Sequence, residues 1–426
     1  MKILIISKEA WRDEQNGGNV LSNIFAQFKN AEFAQIYCNE QEPCNAICRN
    51  YYQMSDRMMV NNILHHTHVG RKLLYEKEPT NTEAKPESFK AAGKFCSNIK
   101  RVVRELVWAL GKWDKKEIIA YARDFNPDII FAPCYGNHYM QRLTVLVHDA
   151  LGVPVVSYIS DDFYTNKQFQ FSPIFWLNHL FIRWRTSKTF RHYSLVYTMT
   201  DEQREQCEHD FGAVMKVLRK SGAFEATYEK KSVGEPIRFV YGGGVYLNRN
   251  KTLQALASAM CRINRLSNVP KMVLDIYTDN SLPERVKMVL NDGVTTHLHK
   301  AVNMSQLREI YHNSDVALHC EGFDMENRLK VRLSFSTKIV DCLDSGCAVM
   351  AICDSMQAGG AYLRRNDCAI CVNDLKELYA TLLKILDNPQ VLIDFQHRAF
   401  EVGRKNHSQD VISADLKNDF EKLIMR

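Results

Sequence analysis

The feature that most constrains this chain is a pattern that runs twice: an apolar strand-like run, a loop carrying glycines, then a segment with helical periodicity. The first round opens with MKILIIS, continues through a polar loop with Gly17 and Gly18, and places Val20, Leu21, Ile24, Phe25 and Phe28 on one helix face. Strand-like runs follow at residues 128–132, 153–159 and 194–198, with helical stretches between them and a helix over 202–211. At residues 237–241 (IRFVY) the pattern begins again, passes through three glycines at 242–244, and leads to a helix over 253–263. Further strands are expected at 272–277, 316–319, 348–352 and 369–372. Continuous apolar strands that alternate with helices predict parallel sheets covered on both faces. A polar stretch at 225–235 separates the rounds. The expected architecture is α/β, with domains over 1–222 and 235–405 and a boundary near 220–235. A last helix, within 406–426, is expected to pack across the hinge. Ligands bind at the carboxyl ends of parallel strands, so a cleft faced by both sheets is the expected site.

With 426 residues, 46% hydrophobic and 24% charged, the chain can build two cores and is too polar for an integral membrane protein. The 55 Lys+Arg exceed the 49 Asp+Glu by 6. That excess suits anionic small molecules or a lipid surface and sets nucleic acid aside as a partner. MKILIIS is too short for a secretory signal, and no run approaches the length of a membrane span, so a cytoplasmic location is expected. Thirteen cysteines, an odd number, point to reduced buried thiols. Cys368 and Cys371 form a lone CxxC inside an apolar run, and His65, His66 and His68 lack cysteine or carboxylate partners at helical spacing. Neither reads as a metal site; no metal and no cofactor are expected.

The most informative window spans residues 334–350. Ser336 can cap a helix, Thr337 and Lys338 fall in its first turn, and Asp341 follows one turn later. Free N–H groups and the Lys338 ammonium would hold a diphosphate there, and Asp341 would accept hydrogen bonds from ribose hydroxyls. In residues 241–251, Gly243 and Gly244 let main chain approach a ligand, while Arg249 and Lys251 offer cations for phosphate. Leu247 stands where a dinucleotide fingerprint needs its third glycine, which lowers a nicotinamide dehydrogenase reading. Asp161 and Asp162 follow a buried strand and could bind a metal, orient an acceptor hydroxyl or cap the next helix. His138, after another strand, is a candidate on the acceptor side.

These windows resemble the retaining, two-domain glycosyltransferases of the GT-B fold, the family 4 or group 1 type, built from two Rossmann-like domains that face a cleft. Ser334, Ser336, Thr337, Lys338, Asp341, Leu343, Ser345, Gly346, Ala348 and Val349 match the segment that lines the nucleotide-sugar site in that family. One departure is Leu333, where many members carry a glutamate eight residues before the acidic position. Glu321 looks like its displaced counterpart, with 325–332 as an insertion. Gly17 and Gly18 are similar to the family's N-terminal glycine pair at the donor diphosphate. Asp161 stands where the family often has a histidine. The resemblance implies transfer of a sugar from a nucleotide-diphosphate sugar to a hydroxyl acceptor, a glycan or a lipid-linked sugar, with retention, in glycan or polysaccharide synthesis. Arg249, Lys338, Asp161 and Asp162 would carry catalysis. The donor would be held by Gly17, Gly18, Gly243, Gly244, Lys251, Glu321, Ser336, Thr337 and Asp341, without a metal. The competing readings are a nucleotide-sugar epimerase of the same architecture and a non-catalytic nucleotide-sugar-binding partner.

Residues 94–116 and 174–191 interleave Trp108, Trp113, Trp176 and Trp184 with lysines and arginines. Such helices either cover the domain core or lie against the inner face of a membrane, where a lipid-linked acceptor would be found.

Overall fold

A computed structural model describes residues 1–13, 16–75, 94–224 and 232–425, with the side chains of 16–18 and 94–98 left undescribed. The polar stretch expected as a linker therefore lies mostly outside the described residues. The chain divides into two units: Met1–Asn166, Gln170–Arg219 and Ile412–Arg426 in the first, Lys167–Phe169 and Lys220–Val411 in the second.

Unit 1 holds strands β1 (Lys2–Ser7), β2 (Glu32–Tyr37), β3 (Asn50–Gln53), β4 (Arg71–Leu74), β5 (Ile129–Pro133), β6 (Val155–Ile159), β7 (Leu195–Thr198) and β8 (Met215–Val217). Its helices are α1 (Asn16–Phe25), α2 (Asp56–His65), α3 (Lys94–Leu110), α4 (Lys115–Phe125), α5 (His138–Leu151), α6 (Pro173–Thr189) and α7 (Asp201–Phe211). The sheet order is β4-β3-β2-β1-β5-β6-β7-β8. Every pair is parallel except β3 with β4. The central position of β1, with Ile5 between Gln35 and Phe131, explains why residues 3–6 are all apolar and fully buried. Gly17 and Gly18, expected in a loop, belong to α1; their surroundings lie outside the described residues.

Unit 2 holds β9 (Ile237–Gly242), β10 (Met272–Tyr277), β11 (Thr296–His299), β12 (Val316–Cys320), β13 (Ala348–Ile352) and β14 (Ile370–Val372). All are parallel, in the order β11-β10-β9-β12-β13-β14. The helices are α8 (Arg249–Asn264), α9 (Glu284–Leu290), α10 (Met304–His312), α11 (Met325–Lys330), α12 (Lys338–Leu343), α13 (Ala358–Arg365), α14 (Leu378–Asp387) and α15 (Gln390–His407). On α8, Leu253, Leu256, Ala257, Met260 and Ile263 form one buried stripe against the sheet. The final helix, α16 (Gln409–Ile424), gives its residues from Ile412 onward to unit 1. There Phe420 packs with Phe25, Phe28 and Phe131, and the Tyr197 hydroxyl donates to Asp419 at 2.7 Å.

Among the described residues no helix is long and apolar enough to cross a membrane. Burial pushes the thiols of Cys38, Cys134, Cys320 and Cys353 upward, and Cys368 sits in the core with its thiol toward the Leu363 carbonyl.

Candidate functional site

In the second sheet the strand order reverses between β9 and β12, and a crevice opens at such a point above the carboxyl ends of the strands. The loop after β9 runs into α8, and Glu321 directly follows β12. Arg249, the first residue of α8, meets Glu321 there. Its Nε donates to one carboxylate oxygen at 2.9 Å and its Nη2 to the other at 2.8 Å. Both residues are buried, Arg249 at 7% and Glu321 at 5% exposure, so this is a desolvated bidentate pair that only good geometry makes tolerable. The main chain fixes Glu321 further: its N–H donates to the Ile352 carbonyl and its carbonyl accepts from the Thr252 hydroxyl at 2.7 Å. Burial opposes the charge on Arg249, but the Glu321 carboxylate outweighs it and keeps the guanidinium protonated. Among the described residues Nη1 makes no hydrogen bond, which leaves one edge of the fork for a ligand.

Lys338 reaches the same place from α12. Its ammonium lies 4.7 Å from the centre of the Tyr241 ring and donates to the Tyr241 hydroxyl at 3.1 Å. That hydroxyl donates onward to the Gly244 carbonyl at 2.6 Å. Gly243 makes the approach possible: its φ is +131°, and a β-carbon there would sit 2.1 Å from the Lys338 Nζ. Burial, then the charge of Arg249, push Lys338 down to about 8, with Glu321 pulling the other way. Among the described residues no carboxylate lies within ion-pairing distance of Lys338. A half-buried cation beside a second cation, without a counter-charge of its own, is a receptor for an anion.

Sequence reasoning missed two neighbours of this pair. His319, buried on β12, is pushed down to about 4 by burial and by the charges of Arg249 and Lys338, against the pull of Glu321. Tyr246 lays its ring 5.0 Å from the Arg249 guanidinium. The turn before α8 also departs from ordinary backbone, since Leu247 and Asn248 both have positive φ, 58° and 59°. The Asn248 amide donates to Asp324 at 2.7 Å, and Asp324 caps α11.

The other donor-side residues are distributed differently. Gly244 lies in the same loop as Gly243. Ser336 and Thr337 precede Lys338, with Thr337 rather than Ser336 at the cap position and no side-chain cap bond. Lys251 is exposed on α8, and among the described residues its side chain makes no hydrogen bond or ion pair. Asp341 pairs with Lys220 at 2.6 Å, and Asp344, one turn on, accepts the N–H groups of Ala223 and Phe224. Those carboxylates hold the chain where it enters unit 2. Leu333, at the family's glutamate position, is core.

In unit 1, Asp162 is buried and accepts from the Thr165 N–H at 3.0 Å and the Thr165 hydroxyl at 2.6 Å, a turn cap, while Asp161 is exposed. His138 begins α5. The histidines near residue 66 do find a carboxylate in space: His68 lies 3.0 Å from Glu117 of α4, a partner that helical spacing could not reveal. His68, Asp114 and Glu117 are close enough to share an ion, as are His148, Asp149 and His192.

No protein-family model matches the sequence, and no curated protein matches it. Solved structures do share the fold. HepE of Anabaena, in complex with UDP and glucose, is 11% identical with a TM-score of 0.62 over 99% of this chain and 100% of that one. Sucrose-phosphate synthase of Thermosynechococcus elongatus is 12% identical, TM-score 0.61, over 100% and 99%. A UDP-forming α,α-trehalose-phosphate synthase of Burkholderia vietnamiensis is 11% identical, TM-score 0.58, over 99% and 100%. At these identities the likeness is one of fold, the two-sheet α/β arrangement called GT-B.

Proposed function

We propose that this protein is a glycosyltransferase that moves a sugar from a nucleotide-diphosphate donor to a hydroxyl acceptor with retention at the anomeric carbon, in glycan or polysaccharide synthesis. The observation that carries the reading is Lys338, a half-buried cation lacking its own carboxylate and placed beside Arg249 at the reversal point of the second sheet. A departing nucleoside diphosphate accumulates negative charge, and cations already in place stabilise it without reorganisation. In this reading Glu321 aims the Arg249 fork, Lys338 and the Nη1 edge of Arg249 take the diphosphate, and Gly243 gives both room. Ser336 and Thr337 add polar contacts beside the Lys338 ammonium. UDP-sugars are the first donors to try, because solved structures of the same fold hold UDP. Positive charge comes from side chains, so a chelator should leave turnover unchanged.

The test is product analysis with a panel of nucleotide sugars and free or lipid-linked acceptors. Release of nucleoside diphosphate together with an α-linked product from an α-linked donor is expected, and Lys338→Ala should abolish it while the fold survives. Isomerised donor without acceptor would favour an epimerase, and tight donor binding without turnover a non-catalytic partner. Full activity in the Lys338→Ala variant would reject the placement of the diphosphate.

A further inference from the structure

Unit 1 keeps two apolar helix faces turned to solvent. On α3, Ile99, Val103, Leu106 and Leu110 recur at the spacing of one face and are all exposed, Leu110 at 70%. On α6, Leu177, Leu180, Phe181 and Trp184 do the same, Leu177 at 72%. The two helices touch each other, and both touch α5. Exposed cations fringe the faces: Lys100, Arg101, Lys112 and Lys188, the last held 4.1 Å over the Trp184 ring.

Positive charge also gathers where α5 meets α6. Phe181 meets the His138 ring edge-on at 5.1 Å. The Gln141 amide donates to the Thr186 hydroxyl at 2.9 Å and accepts from the Thr189 hydroxyl at 3.2 Å, which fixes how the helices face each other. One turn beyond His138 and Phe181 stand Arg142 and Arg185, and burial, then the Arg185 charge, push Arg142 downward. Arg142 lies 4.7 Å from the Trp113 ring. Among the described residues neither arginine has a carboxylate within ion-pairing distance, and Arg185 Nε and His138 Nδ1 are buried without a hydrogen-bond partner. The carboxylate on this side, Glu105, is already committed to the N–H groups of His138 at 3.0 Å and Tyr139 at 3.2 Å and to the Asn137 amide at 3.3 Å. Burial, then Arg185 and Arg142, push His138 down to about 4, so at neutral pH it is an uncharged imidazole.

We propose that Arg142, Arg185 and His138 form a phosphate-binding site for an anionic phospholipid headgroup, with the exposed faces of α3 and α6 resting on the lipid surface around it. Two guanidinium forks match phosphate oxygens, and an anion between them cancels the mutual repulsion of like charges. A lipid rather than a soluble phosphate ester is the occupant because Phe181 and Trp184 beside the site continue into exposed apolar stripes that an acyl boundary would cover, and the cation fringe complements an anionic leaflet. The inference uses no residue of unit 2 and stands or falls apart from the transferase reading.

The test is flotation of the full chain with vesicles of phosphatidylglycerol and phosphatidylcholine in equal parts, beside vesicles of phosphatidylcholine alone and a thermal-shift titration with glycerol phosphate. The wild-type chain should float with the anionic vesicles only. The R142Q/R185Q variant should bind them about thirtyfold more weakly, from roughly 1 kcal/mol for each basic group near an anionic surface and about 1.4 kcal/mol per decade. Its melting temperature should equal or exceed that of wild type, since two repelling cations are gone. No flotation of the wild-type chain, or equal flotation of the variant, overturns the proposal. A thermal shift with glycerol phosphate but no flotation overturns the lipid assignment. As a second variant, L177S/L180S changes only exposed residues and should weaken flotation without altering melting.

Discussion

A lysine pushed toward losing its proton is a poor structural element and a good anion receptor, and Lys338 shows both sides. Burial and the nearby Arg249 charge lower it to about 8, so the free protein holds a mixture of ammonium and amine near physiological pH. An anion binds the ammonium form. Affinity for UDP should therefore be complete below pH 8 and fall as pH rises through 8, by up to about tenfold per pH unit where the amine contributes nothing. Lys338→Arg keeps its proton throughout and should flatten that profile, whatever it does to absolute affinity. Calorimetric titrations at several pH values check this; identical slopes for the two proteins would contradict it. The pairing of Arg249 with Glu321 could not be read from the sequence, because the two residues come together only when β9 and β12 become neighbours. Asp341 shows the converse. Its place in the motif pointed to a ligand, and its ion pair with Lys220 could not be read from that motif.

At the scale of elements, the loop between β9 and α8 decides whether Lys338 can reach its position. Gly243→Ala would force a β-carbon onto a φ of +131° and into the space of the lysine ammonium. The backbone cost is about 1–3 kcal/mol, and nucleotide binding should be lost with it. Gly293→Ala provides the control: its φ is also positive, at +76°, but a β-carbon there meets nothing within 4 Å, so stability should drop while binding persists. Denaturant melts and UDP titrations of both variants separate the two effects; retained binding in Gly243→Ala would contradict the account. The strands that positioned this loop were legible because β9, β10, β12 and β13 are mostly apolar and mostly buried, β13 (AVMAI) without a break and the others interrupted once each, by Arg238, Asp275 and His319. Those that were not are short: β4 (RKLL) and β11 (THLH) are edge strands whose side chains are mostly only partly buried or exposed, and β3 (NYYQ), although buried, is a pair of tyrosines between polar residues with no apolar run to mark it. The helix after β9 begins at Arg249, earlier than its apolar stripe at 253, because its first turn faces the site rather than the core.

At the scale of the whole molecule, the chain builds most of unit 1, builds unit 2, and then returns its last residues to unit 1. Unit 1 is therefore incomplete until the C-terminus arrives. Phe420, fully buried among Phe25, Phe28 and Phe131, is the clearest sign of this, and Phe420→Ala should cost about 3–5 kcal/mol. Chemical denaturation followed by tryptophan fluorescence reads this, since all five tryptophans lie in unit 1, and a loss under about 1 kcal/mol would contradict it. UDP titration of the same variant under native conditions should remain near wild type, because Lys338, Arg249 and Glu321, which the proposed function places at the diphosphate, all belong to unit 2. The two-round arrangement was visible in the sequence from the restart at residue 237, and the last helix was expected across the hinge; which surface it covers, with Phe420 among the phenylalanines of unit 1, is not named by a helix's own residues. The most direct test of the central claim is a crystal structure of the chain with a nucleoside diphosphate. The account predicts phosphate oxygens roughly 3 Å from both the Lys338 ammonium and the Arg249 guanidinium. A diphosphate seated elsewhere, with Lys338 still on the Tyr241 hydroxyl and no anion beside it, would contradict it.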